Sequence, residues 1–313
     1  MMVRRLELHI SPQIAGIRVD TLLRKHLSLS GTVIRRIKWL EDGILVDGQR
    51  VNTRFVPQAG QTLSVRLSDP ERTAGIPPVP GPLDIFYEDM DLVVINKAPG
   101  VPVHQGPGHY DDTVGNFLLH HYDLEKEPAD FHPVHRLDRG TSGLLVVAKH
   151  PHAQEQLKHQ LHTGAFQRTY LAVCEGTMDP PEGRIELPLG HKPGSLIEQM
   201  VRPDGKPAAT RYETLRTWDA FSLLRLELET GRTHQIRVHL AHMGHPLAGD
   251  FLYGQERPEL GRPALHSACL SLLHPISRER LEFHAPLPED IRALVGEGFS
   301  PSSVTASPCH LPP

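Results

Sequence analysis

One carboxylate in the sequence, that of Asp138, stands between Arg136 and Arg139 in a short polar run. The run reads HRLDRGTSG over residues 135–143, and the apolar letters LLVVA follow it directly. Its glycines and hydroxyl residues predict a turn, and the apolar letters predict a buried strand that would hold this turn rigidly. A charged side chain beside a buried strand normally needs either a partner or a function. Composition alone leaves a second interpretation open, in which the aspartate only satisfies its own turn.

The same run resembles the catalytic motif of the RluA-type pseudouridine synthases, roughly H-R-L-D-x-x-T-S-G-L-L, and every fixed position of that pattern is present. The resemblance implies that Asp138 is the catalytic aspartate. Other segments resemble further motifs of the family and cover the main part of the chain almost end to end. These segments are 96–104 (with Ala98 where proline is more frequent), 168–172, 231–240 continuing into 244–250, and 265–268.

The resemblance implies an isomerisation of uridine within RNA, in which the N1–C1′ bond breaks, the base turns, and C5 bonds to C1′. Nothing enters or leaves overall, so no cofactor and no metal is expected. A carboxylate such as that of Asp138 could attack C1′ or assist loss of the 2′ hydrogen, and the sequence leaves both routes open. The target base must also leave its stack, which costs less in single-stranded loops.

Two further residues receive catalytic roles from the resemblance. Arg237 is expected to face Asp138, where a guanidinium could grip the carboxylate through two hydrogen bonds. It lies in a predicted helix that Thr233 would cap and Gly244 would end, and the pattern alone is typical of a surface arginine. Tyr170 is expected to face the displaced base as a stacking surface or a proton acceptor, whereas its strand pattern alone favours a core aromatic.

Other residues of the same motifs are predicted to bind the substrate. Arg136 and Arg139 flank the aspartate, and one of them could hold a phosphate or wedge the RNA open while the other satisfies the turn. The full set of predicted substrate-binding residues is His135, Arg136, Arg139, Thr141, Asn96, Lys97, His104, His234, Gln235 and Leu265.

The distribution of charge is more informative than the net charge of −4. Residues 1–66 carry 11 Lys and Arg against 5 Asp and Glu, a net charge of +6, so the remainder carries −10. A helix predicted over 32–40 has one apolar and one basic face, and a hairpin is predicted around the Asp-Gly pair at 47–48. Together these elements resemble the S4 RNA-binding domain, although a solvated basic face is the alternative. The helix residues predicted to contact RNA are Arg35, Arg36 and Lys38.

These patterns divide the 313 residues into an S4-like domain over 1–68, a proline-rich linker over 69–82, a catalytic domain over 83–295 and a disordered tail over 296–313. In the third segment, short strand-like runs alternate with helical patterns. We therefore expect an α+β fold, in which a catalytic domain with a mostly antiparallel mixed sheet follows a small α/β domain.

The remaining features of the sequence concern the compartment and the partners of the protein. No apolar run is long enough to span a membrane, the N-terminus lacks the apolar stretch of a signal peptide, and the three cysteines are widely spaced. We expect a cytoplasmic monomer that binds RNA, with ribosomal RNA of the large subunit favoured and transfer RNA as the alternative. Two other functions stay open: a ribosome assembly factor that binds RNA without catalysis, and a metallohydrolase. The second would use His234, His239, His242 and His245.

Overall fold

The computed structural model describes residues 3–68, 72 and 75–296. The tail predicted at 296–313 lies outside the described residues except for Gly296, and most of 69–74 also lies outside them. None of the helices in the described ranges is long and apolar enough to cross a membrane.

The N-terminal region, residues 3–68, is a four-stranded antiparallel sheet with two short helices. Its elements are β1 (Arg5–His9), α1 (Val19–Lys25), α2 (Gly31–Ile37), β2 (Ile44–Val46), β3 (Gln49–Arg50) and β4 (Thr62–Arg66), and the strands lie in the order β1-β4-β2-β3. The helix predicted over 32–40 is confirmed as α2, which ends at Ile37, and the predicted hairpin is confirmed. Ser30 caps α2 by accepting a hydrogen bond from the backbone N–H of Val33 at 3.2 Å. The likeness to an S4 domain stays a prediction.

The hairpin between β2 and β3 turns on Asp47 and Gly48, whose φ angles of 50° and 78° both lie in the left-handed region. Two such residues in succession form the type I′ turn that matches the twist of paired strands. The Asp47 carboxylate also accepts a hydrogen bond from the backbone N–H of Thr62 on β4, at 2.8 Å. The Asp-Gly pair therefore fixes both the turn and its position beside the next strand.

The main region, residues 75–296, is built on a ten-stranded sheet. Its elements are β5 (Ile85–Glu88), β6 (Leu92–Lys97), α3 (Val114–Leu124), β7 (His132–Pro133), β8 (Ser142–Ala148), α4 (Pro151–Thr163), β9 (Gln167–Glu175), β10 (Glu182–Glu186), β11 (Leu189–His191), β12 (Gln199–Val201), β13 (Ala209–Trp218), β14 (Phe221–Leu228), α5 (Gln235–His242), β15 (Leu265–Leu273), β16 (Arg280–His284) and α6 (Glu289–Val295). The strand order is β10-β13-β14-β9-β15-β8-β6-β5, with β16 beside β15 and β7 beside β8. Strands β11 and β12 form a separate hairpin. The predicted α+β fold with a mostly antiparallel mixed sheet is confirmed.

The centre of the sheet is buried on both faces, which explains why β8 is apolar from Leu144 to Ala148. Leu145 and Val147 join the apolar cluster formed with α3 and α5 on one face. Leu144 and Val146 join the cluster formed with α4 on the other face. Because neighbouring residues of a strand point to opposite faces, a strand covered on both sides needs an unbroken apolar run.

Strands β8 and β15 form the one parallel pair of the described sheet, with Ser142 opposite His266 and Gly143 opposite Ser267. The Ser142 Oγ lies 2.9 Å from the His266 Nδ1, and the Ser267 Oγ donates to the Leu144 carbonyl at 3.0 Å. This pair begins immediately after the Asp138 turn. The turn is therefore anchored in the centre of the sheet.

The N-terminal region and the main region contact each other through hydrogen bonds made by side chains. Arg4 donates two hydrogen bonds to Asp91, at 2.8 and 2.9 Å. The Ser30 Oγ, at the start of α2, donates to Glu155 of α4 at 2.7 Å, and Gln156 of α4 donates to the Ser28 carbonyl at 3.2 Å. Helix α4 thus supports the N-terminal region while its apolar side packs on the sheet.

Gly143 provides a test of this anchoring. A Cβ at this position would lie 2.3 Å from the backbone oxygen of Ser267, and the φ of +103° disfavours side chains. We expect Gly143→Ala to lower the free energy of unfolding by about 3 kcal/mol, from strain and lost strand pairing. Gly164→Ala is the matched control: its φ is +76° and no atom lies within 4 Å of the added carbon, so we expect a loss of about 1 kcal/mol. Urea denaturation of both variants measures the difference, and equal losses would contradict this account.

Candidate active site

The Asp138 turn is held by backbone hydrogen bonds on both of its sides. The backbone N–H of Thr141 donates to the Asp138 carbonyl at 3.0 Å, which closes the turn. The Arg139 carbonyl accepts from the N–H of Gly100 at 2.8 Å. The Asp138 side chain is 23% exposed, so its carboxylate faces an open space while its backbone is fixed.

Lys97, at the end of β6, lies beneath this turn with 2% of its surface exposed. Its Nζ donates to three carbonyls, those of Ala98 and Val101 at 2.9 Å and that of Arg139 at 3.1 Å. Burial lowers the pKa of Lys97 to about 7, although the charge of Asp138 opposes the shift. All three donors of Lys97 hold backbone carbonyls, so in this structure the residue supports the turn, and its direct contact with the substrate stays a prediction.

Arg237 lies on α5 and faces two carboxylates. Its Nη1 is 3.6 Å from Asp138, whereas its Nε and Nη2 donate to Asp250 at 2.7 and 2.8 Å. The structure therefore brings Arg237 to Asp138 as expected, but the two-bond grip is on Asp250 and not on Asp138. Its guanidinium also stacks over the Tyr253 ring at 5.0 Å. Burial alone would lower the pKa of Arg237, but the hydrogen bonds and charge of Asp250, with the charge of Asp138, raise it.

Helix α5 begins differently from the prediction. His234, not Thr233, is the cap, with a left-handed φ of 56°, and its Nδ1 lies 2.8 Å from the Tyr253 hydroxyl. The predicted end is confirmed, since Gly244 follows the helix with a φ of +86°. His234 lines the space beside Asp138, and burial lowers its pKa. It is therefore available to a ligand as an uncharged ring.

Gln235, predicted to bind the substrate, is buried and makes four hydrogen bonds within the protein. Its Nε2 donates to the Ala209 carbonyl at 2.9 Å and to the Thr210 Oγ1 at 3.0 Å. Its Oε1 accepts from the Thr230 hydroxyl at 2.7 Å and from the N–H of Arg232 at 3.0 Å. These four bonds use the capacity of the amide, so Gln235 positions the loop before α5 and does not contact the substrate.

Tyr170, on β9, is 3% exposed and belongs to the same apolar cluster as Leu265. Its ring nevertheless lines the cavity that contains Asp138. Burial raises the pKa of the Tyr170 phenol. The positive charge of Arg168 lowers this pKa, whereas the negative charge of Asp138 raises it. Of the two roles open for Tyr170, a stacking surface suits this environment better than a proton acceptor does. Leu265 is a core residue opposite Ala172, so its predicted contact with the substrate is not supported.

Two cavities meet at Asp138 and form what we call the cleft. The larger, of about 900 Å³, contains Tyr170 and extends to the β11–β12 hairpin; the smaller, of about 810 Å³, contains Arg237 and His234. Arg136, which is exposed, lines both. The positively charged residues around the cleft are Arg136, Arg139, Arg168, Arg202, Lys206, Arg232, Arg237 and Arg262. This lining suits a polyanionic ligand.

The remaining predicted residues divide between the rim and the interior. Arg139 and His104 are exposed and line the smaller cavity. His135 is buried, its Nε2 accepts from the N–H of Val146 at 3.3 Å, and burial lowers its pKa to about 3. Thr141 is also buried, with its backbone committed to the turn. Asn96 donates to Asp84 at 2.9 Å and lines a separate cavity, so the structure does not bring it to the cleft.

Sequence reasoning missed three side chains that shape the cleft: Asp250, Tyr253 and Arg262. Asp250 is fully buried and is oriented by the N–H of Leu252 at 3.1 Å and of Tyr253 at 3.3 Å. The Arg262 Nη1 donates to the Gly140 carbonyl in the Asp138 turn at 3.2 Å. The sequence did contain a signal for Asp250. It is the last residue of segment 244–250, which continues the motif that contains Arg237.

The histidines that suggested a metal site have separate partners. His239 is buried between the Thr210 hydroxyl, at 2.9 Å, and the Leu187 carbonyl, at 3.0 Å. The His245 Nδ1 lies 2.9 Å from the Glu175 carbonyl. In residues 3–68, 72 and 75–296, the group with metal-ligand spacing is Asp89, Asp91 and His274, which is elsewhere and already binds Arg4. The histidine segment therefore gives no support to a metallohydrolase.

Lys97 generates a prediction about pH. An unfolded lysine keeps its proton up to about pH 10.5, while Lys97 in the native state releases it near pH 7. Between these values the unfolded state binds more protons, so this residue makes stability rise with pH. We expect the stability of the wild type relative to Lys97→Met to increase by about 2 kcal/mol from pH 7 to pH 9. Denaturant unfolding at each pH measures it. Lys25→Met, at an exposed site, is the control for net charge, and parallel curves for wild type and Lys97→Met would contradict the expectation.

Asp250 generates a prediction about the buried charge of Arg237. Asp250→Asn keeps the shape but removes the charge that the guanidinium holds, and we expect a loss of about 3–5 kcal/mol in the free energy of unfolding. In the double variant Asp250→Asn/Arg237→Met the unpaired charge is gone, so the loss should be smaller than the sum of the single losses. Additive losses in this double-mutant cycle would mean that the two side chains do not depend on each other.

Comparisons with known proteins agree with this geometry. The RNA pseudouridylate synthase family model matches residues 91–242. The chain is 40% identical over 269 residues to the uncharacterized RNA pseudouridine synthase YjbO of Bacillus subtilis, covering 86% of this chain and 95% of that one. It is 42% identical over 276 residues to the ribosomal large subunit pseudouridine synthase D of Yersinia pestis, covering 83% and 85%. The solved structure of human RNA pseudouridylate synthase domain containing 1 aligns with a TM-score of 0.57 at 25% identity, over 74% of this chain and 99% of that one.

The span matched by the family model includes the Asp138 turn, the Tyr170 strand and helix α5. The identity to the two bacterial relatives extends over most of each chain. The chain therefore belongs to the RNA pseudouridine synthase family of the RluA type, and it isomerises uridines in RNA to pseudouridine.

Proposed function

We propose that this enzyme modifies uridines of large-subunit ribosomal RNA and that Asp138 is its nucleophile. The observation that carries the second part is the position of the Asp138 carboxylate, partly exposed where the two cavities meet and 3.6 Å from the guanidinium of Arg237. The first part is supported by relatives that are named as large-subunit enzymes, at 41–42% identity.

Asp138 acts on a uridine that has been displaced from its stack. Its carboxylate either attacks C1′ and displaces the base at N1, or removes the 2′ hydrogen; both routes leave a detached uracil that turns within the cleft. C5 then bonds to C1′; on the first route this displaces Asp138, and on the second the protonated Asp138 returns its proton to C2′. C5 finally loses its proton, and N1 gains one. Atoms and charge balance without a cofactor.

Tyr170 forms the wall against which the base stacks and turns. Its buried ring lies on the cavity surface, and its raised pKa makes it a poor acceptor for the C5 proton near neutral pH. That proton therefore passes to water. Arg237 stabilises the ionised form of Asp138 through Nη1 while Asp250 holds the rest of its guanidinium.

The RNA backbone is held by the basic rim of the cleft. Arg136 and Arg139, both exposed beside Asp138, contact phosphates that flank the target. The basic face of α2 adds contacts from the N-terminal region through Arg35, Arg36 and Lys38. Because the cost of unstacking a base is a few kcal/mol, these contacts have to offset it.

The nucleophile is tested by Asp138→Asn, which keeps the shape of the side chain and removes its charge. We expect tritium release from [5-³H]uridine ribosomal RNA to fall at least 1,000-fold, or about 4 kcal/mol, with RNA affinity within threefold of the wild type. Asp204→Asn is the matched control, since Asp204 lines the same cleft but pairs with Arg202, and its rate should stay within threefold. Activity of Asp138→Asn within tenfold of the wild type would exclude Asp138 as the nucleophile.

The substrate is tested by mapping pseudouridines in cells with and without the gene. We expect one or a few sites of large-subunit ribosomal RNA to be lost and to return with the wild-type gene but not with Asp138→Asn. Loss of sites only in transfer RNA would contradict the substrate. Normal ribosome assembly in cells that carry Asp138→Asn would separate catalysis from the alternative role as an assembly factor.

A further inference from the structure

We propose that Trp39, directly after the basic helix α2, is a stacking platform for an unpaired base of the RNA substrate. The proposal rests on the proposed function only in that the ligand is RNA, and it can be tested by binding alone. The N-terminal region would then bind RNA by stacking on an aromatic ring as well as by charge.

The exposure of Trp39 is the first observation. Its relative exposure is 75%, the highest of any aromatic side chain in the described ranges. Helix α2 fills the core of the N-terminal region with Val33, Ile34 and Ile37, so the fold does not require an indole at position 39. The other tryptophan, Trp218, is packed beside Phe221 with ring centroids 6.0 Å apart, as a structural tryptophan is expected to be.

The ring of Trp39 is also oriented by its neighbours. The Lys38 Nζ lies over the ring at 4.9 Å from its centroid, and Arg50 donates to the Trp39 carbonyl at 3.1 Å. The ammonium and the ring form a pair that can bind a phosphate and the adjoining base together. Sites for single-stranded nucleic acid combine these two features, a basic surface and an aromatic face, because every base has a face that can stack.

The charge around the ring favours RNA over an apolar protein partner. Arg35, Lys38 and Arg50 form no ion pair with a carboxylate of the described chain. The nearby Asp42 is already bound by Arg66 at 3.0 Å and by Arg5. This leaves Glu41 as the acidic residue near Trp39 in sequence, compared with the three cationic residues Arg35, Lys38 and Arg50.

Helix α4 connects this surface to the cleft. Ser30, at the start of α2, binds Glu155 on α4, and Leu161 and His162 of the same helix line the larger cavity.

Fluorescence provides a direct test, because Trp218→Phe leaves Trp39 as the only tryptophan. The probe is single-stranded oligouridylate of 12 nucleotides, with an RNA duplex of the same length as its control. We expect the oligouridylate to quench Trp39 fluorescence in a saturable way and the duplex to quench it much less. Absence of quenching at low salt, with binding still detected by filter retention, would overturn the proposal.

Variants separate stacking from charge. In the wild-type background, Trp39→Ala should weaken oligouridylate binding 5- to 100-fold without changing the salt dependence, since stacking releases no counterions. Lys38→Gln should instead reduce the slope of log affinity against log salt by about 0.7. Leu124→Ala removes another exposed apolar side chain, 67% exposed on the main region, and should change neither.

The proposal and the assigned activity fail in different ways. Trp39→Ala should raise the concentration of ribosomal RNA that gives half-maximal tritium release, whereas Leu124→Ala should change neither that concentration nor the maximal rate. Equal oligouridylate affinity of Trp39→Ala and wild type would overturn the stacking role whatever the activity. A wild-type protein that dimerises through this surface, with dimerisation lost in Trp39→Ala, would assign the ring to a protein contact and also overturn it.

Discussion

The position of one buried positive charge, that of Arg237, determines the chemistry of the cleft. Its guanidinium has two carboxylate neighbours and binds them unequally, with two short hydrogen bonds to Asp250 and a 3.6 Å approach to Asp138. A nucleophile held in a two-bond pair would have to break that pair before attack. Because Asp250 satisfies most of the guanidinium, Asp138 keeps its oxygens available and still has a counter-charge beside it.

The backbone around this pair is held by buried polar side chains whose partners are carbonyl groups. Lys97 and Arg262 approach the Asp138 turn from two directions, at the carbonyls of Arg139 and Gly140. Gln235 ties the loop that precedes α5 to β13, because its Oε1 accepts from the Arg232 N–H and its Nε2 donates to the Ala209 carbonyl. Buried donors of this kind cost free energy unless each is satisfied, so they fix one conformation of the turn more firmly than apolar packing would.

Much of this fold could be predicted from local patterns, and the part that could not depends on contacts between distant residues. The apolar run of β8, the Asp-Gly hairpin and the Gly244 helix end follow from periodicity and turn chemistry. Motif membership identified Lys97 and Gln235 as important but not all that they bind, because the Arg139 carbonyl bound by Lys97 and the Ala209 carbonyl bound by Gln235 are tens of residues away in sequence. Helix α5 begins after His234 and not after Thr233, and the contact of the His234 ring with the Tyr253 hydroxyl is one that no local signal reveals.

Asn96 and Leu265 illustrate a different limit of reading a motif. Each lies within a segment that resembles the family, yet one faces a separate cavity and the other faces the core. A strand presents alternate residues to opposite faces, so only about half of a strand motif can reach one cleft. In the same strand, Lys97 is buried beneath the turn, whereas its neighbour Asn96 is only partly buried and donates to Asp84. A motif on a strand therefore identifies the element that supports a site, and the pleat decides which of its side chains reach the substrate.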